Sequence, residues 1–446
     1  MNFTNNNTNP LRKKQTITFL LVAIPLVILI GIVAILVSLQ IPALGPIEWT
    51  YLLAPAIILI IALGLFKYDA LVFLTFCLIG FVRNEPATFD LLLIPLFGIG
   101  LLTGRLELPN TPSRYRIYIF VGLFGLILTN LASVLMTALD YDSFRYLGIT
   151  LYMLALFVFT RMYATKPQNF VMLLLGYTVS VVINSFVVVL GFLGFDLPFD
   201  VLDWSVRGVG FFKDPNVFGP FALVSALWLI YHVMQSSSKP IRNGFLAFLA
   251  LMMAFGATLS LSRAVWFNLF VSSCIILFFV FRRDSRRGII FVVIMASFTL
   301  VAVSSIQIFG LNSLVEDRMQ LQGYDIERFR NQAAGIIAGL THPLGVGPGM
   351  WSDAHSLYVR TLAEQGVVGL FSLLSLLGGI VLATFNLALK EKYHLRILSA
   401  KVILAIVIGQ LINSFVIDSI HWRHFWFVLG IAWAYLDFYT TKENNG

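Results

Sequence analysis

Charged side chains are scarce in this chain: only 12% of its 446 residues are Asp, Glu, Lys or Arg, whereas 59% are hydrophobic. A soluble domain carries about 25% charged residues, because its surface must be hydrated. The apolar residues form runs close to the roughly 20 residues that a helix needs to cross a bilayer. The composition therefore excludes an ordinary soluble domain and predicts an all-α polytopic membrane protein.

Cysteine is equally rare. Cys77 and Cys274 are the only cysteines, and both lie inside apolar segments. Two cysteines in such positions predict neither a disulfide framework nor a zinc site. The net charge of +8 comes from basic residues scattered between apolar segments. That pattern is typical of short cytoplasmic loops and indicates no nucleic-acid partner.

Fourteen apolar segments follow one another, at 17–39, 50–66, 70–82, 89–103, 117–138, 145–162, 168–195, 216–235, 243–260, 263–281, 289–309, 356–388, 398–417 and 424–440. Segments three and four alternatively form a re-entrant pair, which leaves twelve spans and the same orientation downstream. The predicted organisation is a disordered N-terminus (1–16), eleven spans (17–309), a long extracytoplasmic loop (310–355), three spans (356–440) and a tail (441–446).

The distribution of lysine and arginine predicts the side that each connection faces. With both termini in the cytoplasm, twenty of the thirty basic residues lie on inner connections, as the positive-inside rule requires. The other ten need individual explanations. They are Arg83, Arg145, Arg207, Lys213, Arg263, Arg318, Arg328, Arg330, Arg360 and Arg423.

The long loop contains a second periodic pattern. Its apolar residues recur at helical spacing, at Ile326, Phe329, Ala333, Ile336, Ile337 and Leu340. This predicts an amphipathic helix on or near the outer membrane surface. The helix is followed by LGVGPG, whose alternate glycines (345, 347 and 349) would let a backbone approach a phosphate.

The stretch SVRGVGFFKDPN (205–216) brings polar side chains to the start of segment eight. Pro215 suits the first turn of a helix, and Asp214 suits its cap. Arg207 and Lys213 are then either snorkelling cations or ligand contacts, with Asn216 beside them.

Arg263, in TLSLSRAVW, lies between two apolar segments with almost no loop. It needs an anion or a carboxylate nearby, unless it snorkels to the headgroups. Together, the guanidinium forks of Arg207 and Arg263 are suited to gripping a diphosphate.

The stretch HSLYVRTLAEQGVVGL (355–370) places four ionisable side chains at the mouth of a hydrophobic segment: His355, Tyr358, Arg360 and Glu364. An imidazole with a pKa of roughly 6.5 suits a general base at neutral pH. Glu364 either orients this imidazole or pairs with an arginine. A purely structural histidine at a helix start is the alternative.

Two further groups are weaker candidates. His421 and Arg423 lie in the last outer turn, and Asp140 and Asp142 form a D-x-D that is more typical of a solvated turn than of a cation site. We therefore predict no metal site.

Taken together, these residues resemble the O-antigen ligase and polysaccharide polymerase superfamily of bacterial membrane glycosyltransferases. The resemblance rests on Arg207 followed by Asp214-Pro215-Asn216, on Ser262-Arg263, and on P-L-G-V-G-P-G followed by H-S-x-Y-x-x-x-x-x-E-x-G-x-x-G-L between 343 and 370. Ser356 stands where many relatives have asparagine. The N-terminal half is similar by hydropathy alone.

The resemblance implies a GT-C-like fold and inverting transfer from an undecaprenyl-diphosphate-linked glycan to a glycan or lipid acceptor. It implies action at the outer face of the bacterial cytoplasmic (inner) membrane, without a cofactor or metal. It also implies membrane lipid contacts and a flippase or chain-length regulator as a partner. Polymerase and ligase differ only in the acceptor, so the sequence leaves both open.

Within that chemistry, Arg207 and Arg263 are expected to bind the donor diphosphate, and His355 and Glu364 to be catalytic. Further substrate contacts are expected at Lys213, Asp214, Asn216, Tyr358, Arg360, Arg328, Arg330 and Arg423. The alternative function is a transporter or flippase for a lipid-linked or anionic solute. Transporters keep ionisable groups near the bilayer midplane and often contain internal repeats. Here these groups cluster at the outer ends of segments and no repeat is evident, which favours catalysis.

Overall fold

The computed structural model describes residue 60 and residues 62–108, 115–137, 141–203, 205–235, 240–391 and 398–444. The predicted N-terminus, the first span at 17–39, most of the second at 50–66 and the end of the tail lie outside the described residues. The described helices are α1 (Tyr68–Cys77), α2 (Thr88–Leu102), α3 (Arg116–Val134), α4 (Tyr141–Tyr163), α5 (Pro167–Phe192), α6 (Pro215–Gln235), α7 (Pro240–Thr258), α8 (Arg263–Arg283), α9 (Ser285–Ile308), α10 (Asn312–Met319), α11 (Gly323–Thr341), α12 (Leu357–Lys390), α13 (Ala400–Asn413) and α14 (Arg423–Asn444).

The predicted all-α, polytopic architecture is confirmed. Eight of these helices, α3 to α9 and α12, are long and apolar enough to cross a membrane. Helices α1, α2 and α13 are apolar but have only 10, 15 and 14 residues. At about 1.5 Å per residue they are shorter than the roughly 30 Å hydrocarbon core. The total of fourteen spans stays a prediction.

Helix α13 ends earlier than the predicted segment at 398–417. Its last residue is Asn413, and the chain turns over residues 414–417. The carbonyl of Ser414 accepts a hydrogen bond from the backbone N–H of Leu357 at 3.0 Å. It therefore serves the first turn of α12 instead of another turn of α13.

Helix α12 is broken, although the sequence predicted one segment at 356–388. Gly366 has φ 69° and ψ −171°, which is outside the helical region. A straight helix of its 34 residues would measure about 51 Å, well beyond a bilayer core. A Cβ on Gly366 would lie 2.0 Å from the carbonyl oxygen of Pro343. Only glycine permits both the conformation and the close approach.

The amphipathic helix predicted in the long loop is present as α11, preceded by the short α10. Gly335 and Gly339 contact Trp351 and Leu362, so this side of α11 lies against the first part of α12. The apolar side chains on its other faces are exposed, at Ile326, Phe329, Ile337 and Leu340. Their contact with the membrane surface stays a prediction.

Ion pairs between connections join residues that the predicted topology assigns to the same side. Lys166 pairs with Glu107 at 3.3 Å on the inner side. Arg83 pairs with Asp200 at 2.9 Å on the outer side. Between the two ends, α3 and α12 pack closely, because a Cβ on Gly122 would lie 2.4 Å from the backbone nitrogen of Leu376. Small residues at such contacts are typical of packed membrane helices.

Candidate active site

A cavity of about 830 Å³ opens where the N-terminal ends of α6 and α8 meet α10 and α11. The predicted topology assigns these ends to the outer face. The cavity is lined by Asp203, Ser205, Arg207, Lys213, Asp214, Pro215, Asn216, Leu261, Ser262, Arg263, Ala264, Phe267, Arg318, Leu321, Tyr324, Asp325, Arg328, Phe329, Gln332, Val416 and Ile417.

Arg207 is buried in the wall of this cavity, with 9% of its surface exposed. Its Nε donates to the carbonyl of Ser260 at 3.0 Å, and its Nη2 donates to Oδ1 of Asn216 at 3.0 Å. Oδ1 of Asp214 accepts from the backbone N–H of Asn216 at 2.8 Å, which confirms Asp214 as the cap of α6. The guanidinium is thus oriented by protein atoms.

Arg263 reaches the same cavity from the first position of α8. Its Nη2 lies 2.7 Å and 2.8 Å from the two carboxylate oxygens of Asp325 on α11. The anion or carboxylate predicted near Arg263 is therefore a carboxylate of the protein itself. Burial raises the pKa of Asp325, but hydrogen bonds from Arg263 and from the backbone of Gln322 outweigh it and lower the pKa below its usual value.

Two further arginines line the cavity around Tyr324. Nη1 of Arg318 donates to the Tyr324 hydroxyl at 2.9 Å, and the guanidinium of Arg328 lies 5.0 Å from the Tyr324 ring centroid. Burial lowers the pKa of Arg207, and the nearby charge of Arg318 lowers it further. Sequence reasoning identified Arg318 only as one of ten outer basic residues, and Tyr324 and Asp325 not at all. They share no motif; only the fold of α10 and α11 brings them together.

His355 lies just before α12 in a left-handed conformation, with φ 46° and ψ 33°. This conformation is rare outside glycine and is found at functional sites more often than elsewhere. Burial, and then the charge of Arg328, lower the pKa of His355, while Asp353, Asp214 and Asp418 act in the opposite direction. Arg328 and Asp214 line the cavity, whereas His355 itself is not among the lining residues. Its lowered pKa leaves it neutral at pH 7, as a base must be.

Glu364 lies in a buried ion-pair network instead of beside His355. Arg360 donates from Nε to Oε1 of Glu364 at 2.9 Å and forms a second ion pair with Asp418. The backbone N–H of Trp351 also donates to Oε1 of Glu364, at 3.1 Å. The sequence left open whether Glu364 orients the imidazole of His355 or pairs with an arginine, and in the structure it pairs with Arg360. Neither Arg360 nor Glu364 is among the residues lining the cavity.

The glycines of LGVGPG contact protein atoms and not an open phosphate site. A Cβ on Gly345 would lie 2.2 Å from the carbonyl of Glu364, and the N–H of Gly347 donates to that carbonyl at 3.2 Å. A Cβ on Gly349 would lie 2.2 Å from the Tyr146 ring. The loop thus fastens the broken start of α12 and carries the chain towards His355.

The other predicted contacts divide into two groups. Lys213, Asp214, Asn216 and Arg328 line the cavity with Arg207. Arg330, Tyr358 and Arg423 are not among its lining residues. Arg330 is exposed on α11, and the Tyr358 hydroxyl donates to the carbonyl of Leu411 at 3.0 Å. Nε of Arg423 donates to Oδ1 of Asp90 at 2.6 Å. Asp90 does not line the cavity either, so the partner of Arg423 is a carboxylate of the protein outside the cavity lining.

The two weaker candidates from the sequence are the last outer turn with His421 and the D-x-D at 140–142. Nε2 of His421 lies 3.1 Å from the hydroxyl of Thr150, and its ring stacks on Tyr146. Asp140 lies outside the described residues. Among the residues that the structure describes, no group of three or more His, Cys, Asp or Glu side chains is arranged to hold a metal ion.

A family model described as O-Antigen ligase matches residues 248–374, which include Arg263, α10, α11, His355 and Glu364 but not Arg207. No curated protein matches the chain. Residues 248–374 are thus similar to the O-antigen ligase family, and this match confirms the resemblance of the chain to the O-antigen ligase and polysaccharide polymerase superfamily.

Proposed function

We propose that this multi-pass membrane protein is an inverting, metal-independent glycosyltransferase. Its donor is an undecaprenyl-diphosphate-linked glycan, and its acceptor is a glycan or lipid at the outer face of the cytoplasmic membrane. The family domain supports a ligase- or polymerase-type glycosyltransferase with lipid-linked glycan and acceptor substrates. The observation that carries the proposal is the oriented guanidinium of Arg207 in a large cavity, whose lining residues Arg328 and Asp214 also act electrostatically on His355.

The chemistry needs two groups. The acceptor hydroxyl oxygen attacks the anomeric carbon, and His355 takes its proton as the new glycosidic bond forms. The bond from the anomeric carbon to the diphosphate oxygen breaks, and that oxygen keeps the electron pair. Arg207 stabilises the charge that develops on the departing diphosphate. Attack opposite the leaving group inverts the anomeric configuration.

The cavity also has an apolar wall for the lipid. Phe267 on α8 lines it and is 54% exposed, and Phe329 on α11 lines it and is 57% exposed. A polyprenyl chain lying along these rings would remain in the bilayer while its diphosphate reached Arg207. The polar side of the cavity would then receive the sugars.

The test is a transfer assay with purified protein in liposomes. A synthetic undecaprenyl-diphosphate-linked glycan and a glycan acceptor are supplied, and both the transferred glycan and the released undecaprenyl diphosphate are measured. We expect equal amounts of the two products and no transfer from a monophosphate-linked donor. Movement of the donor between leaflets without transfer would instead assign the protein to the transporters.

A further inference from the structure

The charges that line the cavity match one dianion. Five cationic side chains are present, at Arg207, Lys213, Arg263, Arg318 and Arg328, and three acidic ones, at Asp203, Asp214 and Asp325. The lining therefore carries two positive charges in excess. A diphosphate diester carries one negative charge on each phosphoryl group at neutral pH. The diphosphate of one donor matches this excess of the lining, although Nζ of Lys213 also lies 3.9 Å from Oε1 of Glu85 outside it.

The carboxylates of the lining are already engaged by protein groups. Oδ1 of Asp203 accepts from the backbone N–H groups of Ser205 and Arg207, each at 2.9 Å. Asp214 caps α6. Asp325 holds Arg263. Within the described part of the chain, no carboxylate forms an ion pair with Arg207, Arg318 or Arg328.

We propose that Arg318 on α10 is the second guanidinium of the diphosphate site, together with Arg207, and that Arg263 is a positioning residue that fixes α11 through Asp325. This inference rests on the proposed function and identifies which side chains meet the donor. It assigns α10, which carries no recognisable motif, to donor binding.

The geometry brings Arg318 to the same part of the cavity wall as Arg207. Nη2 of Arg318 lies 3.4 Å from the hydroxyl of Ser205, which is two residues before Arg207 in the chain. Nη1 of Arg318 is held by the Tyr324 hydroxyl. A buried guanidinium (Arg207) and a half-buried one (Arg318) in this proximity repel each other, and an anion between them removes the repulsion. A diphosphate offers one phosphoryl group to each planar fork.

Arg263 is a poorer diphosphate contact in this arrangement. Its Nη2 already meets both oxygens of Asp325, and its Nη1 lies 3.3 Å from the carbonyl of Gln320. A diphosphate that displaced Asp325 would leave this buried carboxylate beside a dianion without its partner. Removing one member of a buried ion pair is costly. The pair is therefore expected to remain intact while the donor is bound.

A charge reversal distinguishes the two roles of Arg263. The single variants Arg263→Asp and Asp325→Arg each place two like charges together, and we expect each to lower turnover by at least about tenfold. The double variant restores an ion pair of opposite polarity, so most of the lost turnover should return. A diphosphate contact at position 263 would predict that the double variant stays as inactive as Arg263→Asp. That result, with correctly folded protein by thermal melting, would overturn the positioning role.

Donor kinetics test Arg318 directly. Arg318→Gln removes a charged fork, and we expect the KM for the undecaprenyl-diphosphate-linked donor to rise roughly 10- to 100-fold, with the acceptor KM unchanged. Arg318→Lys keeps the charge and should recover only part of the loss. Arg145→Gln, an exposed arginine on α4, is the matched control. A donor KM unchanged in Arg318→Gln would refute the inference, while transfer by the unmodified protein would still support the proposed function. Absence of transfer by the unmodified protein would instead refute both.

Discussion

Arg263 and Asp325 form an ion pair between residues 62 positions apart, with Nη2 of Arg263 at 2.7 Å from Oδ1 of Asp325. This contact joins the start of a candidate membrane span to the amphipathic helix of the long connection. Only 8% of the Asp325 side chain is exposed, whereas 35% of the Arg263 side chain is exposed. The pair therefore fastens α11 beside the cavity, and its loss should loosen α10 and α11 together.

The first prediction concerns the pH dependence of this contact. Hydrogen bonds from Arg263 and Gln322 outweigh burial and lower the folded-state pKa of Asp325. The pair therefore stabilises the protein fully above the unfolded pKa of about 3.9, and this contribution is lost as the pH falls through the folded pKa. We expect Asp325→Asn to melt at a lower temperature than the unmodified protein at pH 7. The difference in melting temperature between the two proteins should shrink below pH 3, which is about one unit below the unfolded pKa. A difference as large below pH 3 as at pH 7 would contradict this linkage.

The second prediction concerns His355. His355→Ala should leave donor binding nearly unchanged and lower turnover by about 10²–10⁴-fold, because it removes a general base. Since the pKa of His355 is lowered by burial and by Arg328, the acid limb of kcat/KM should have its midpoint below about 6.5. His342→Ala, at an exposed histidine after α11, is the control. Equal losses of donor binding and turnover would make His355 a donor contact.

The third prediction concerns the fork of Arg207. Arg207→Lys keeps the charge but cannot form both hydrogen bonds, to Ser260 and to Asn216. We expect the donor KM to rise by at least about tenfold, as for the loss of one charged hydrogen bond. Arg145→Lys should leave it unchanged. A normal donor KM in Arg207→Lys would mean that the diphosphate binds elsewhere.

The fourth prediction separates stability from catalysis at Arg360. Arg360→Met leaves Glu364 and Asp418 without their shared cation, which should cost about 3–5 kcal/mol of folding free energy. Thermal unfolding in detergent measures this loss, and Arg330→Met on the exposed side of α11 is the control. Unchanged melting together with abolished turnover would restore a catalytic role for the Arg360–Glu364 pair.

The fifth prediction concerns metals. A diphosphate is a good leaving group, and arginine side chains supply the charge stabilisation that metals supply in other transferases. Transfer by purified protein is expected to persist in EDTA. Activity that disappears with EDTA and returns with magnesium or manganese would show that the mechanism requires a metal.

Helix positions were largely predictable, because apolar runs of bilayer length permit few structures other than helices. The predicted segments at 117–138 and 263–281 correspond closely to α3 and α8. The break in α12 was missed. Gly366 resembles any glycine in an apolar run, and its conformation depends on the Pro343 carbonyl packed against it.

Individual site residues were predictable where a local pattern marked them. Asp214 and Pro215 identified the start of α6, and Arg207 followed from its position before them. Glu364 and Arg423 were predicted near the substrate, but the structure gives them Arg360 and Asp90 as partners. The pairing of Glu364 with an arginine was one of two alternatives in the sequence, four positions away. Asp90 lies 333 positions from Arg423, and a sequence does not show which distant charges meet.

The sequence by itself determined that the chain is an all-α membrane protein and that it resembles the O-antigen ligase superfamily, because hydropathy and short motifs are local properties. The tertiary structure decided which cations are available to a ligand. Arg263 and Arg318 are both predicted outer arginines in the sequence. In the fold, Arg263 forms an ion pair with Asp325, whereas Arg318 lies near Ser205 and Arg207. That distinction depends on where the fold places α10 and α11 relative to the first residue of α8, and such long-range placement is not encoded in any local pattern.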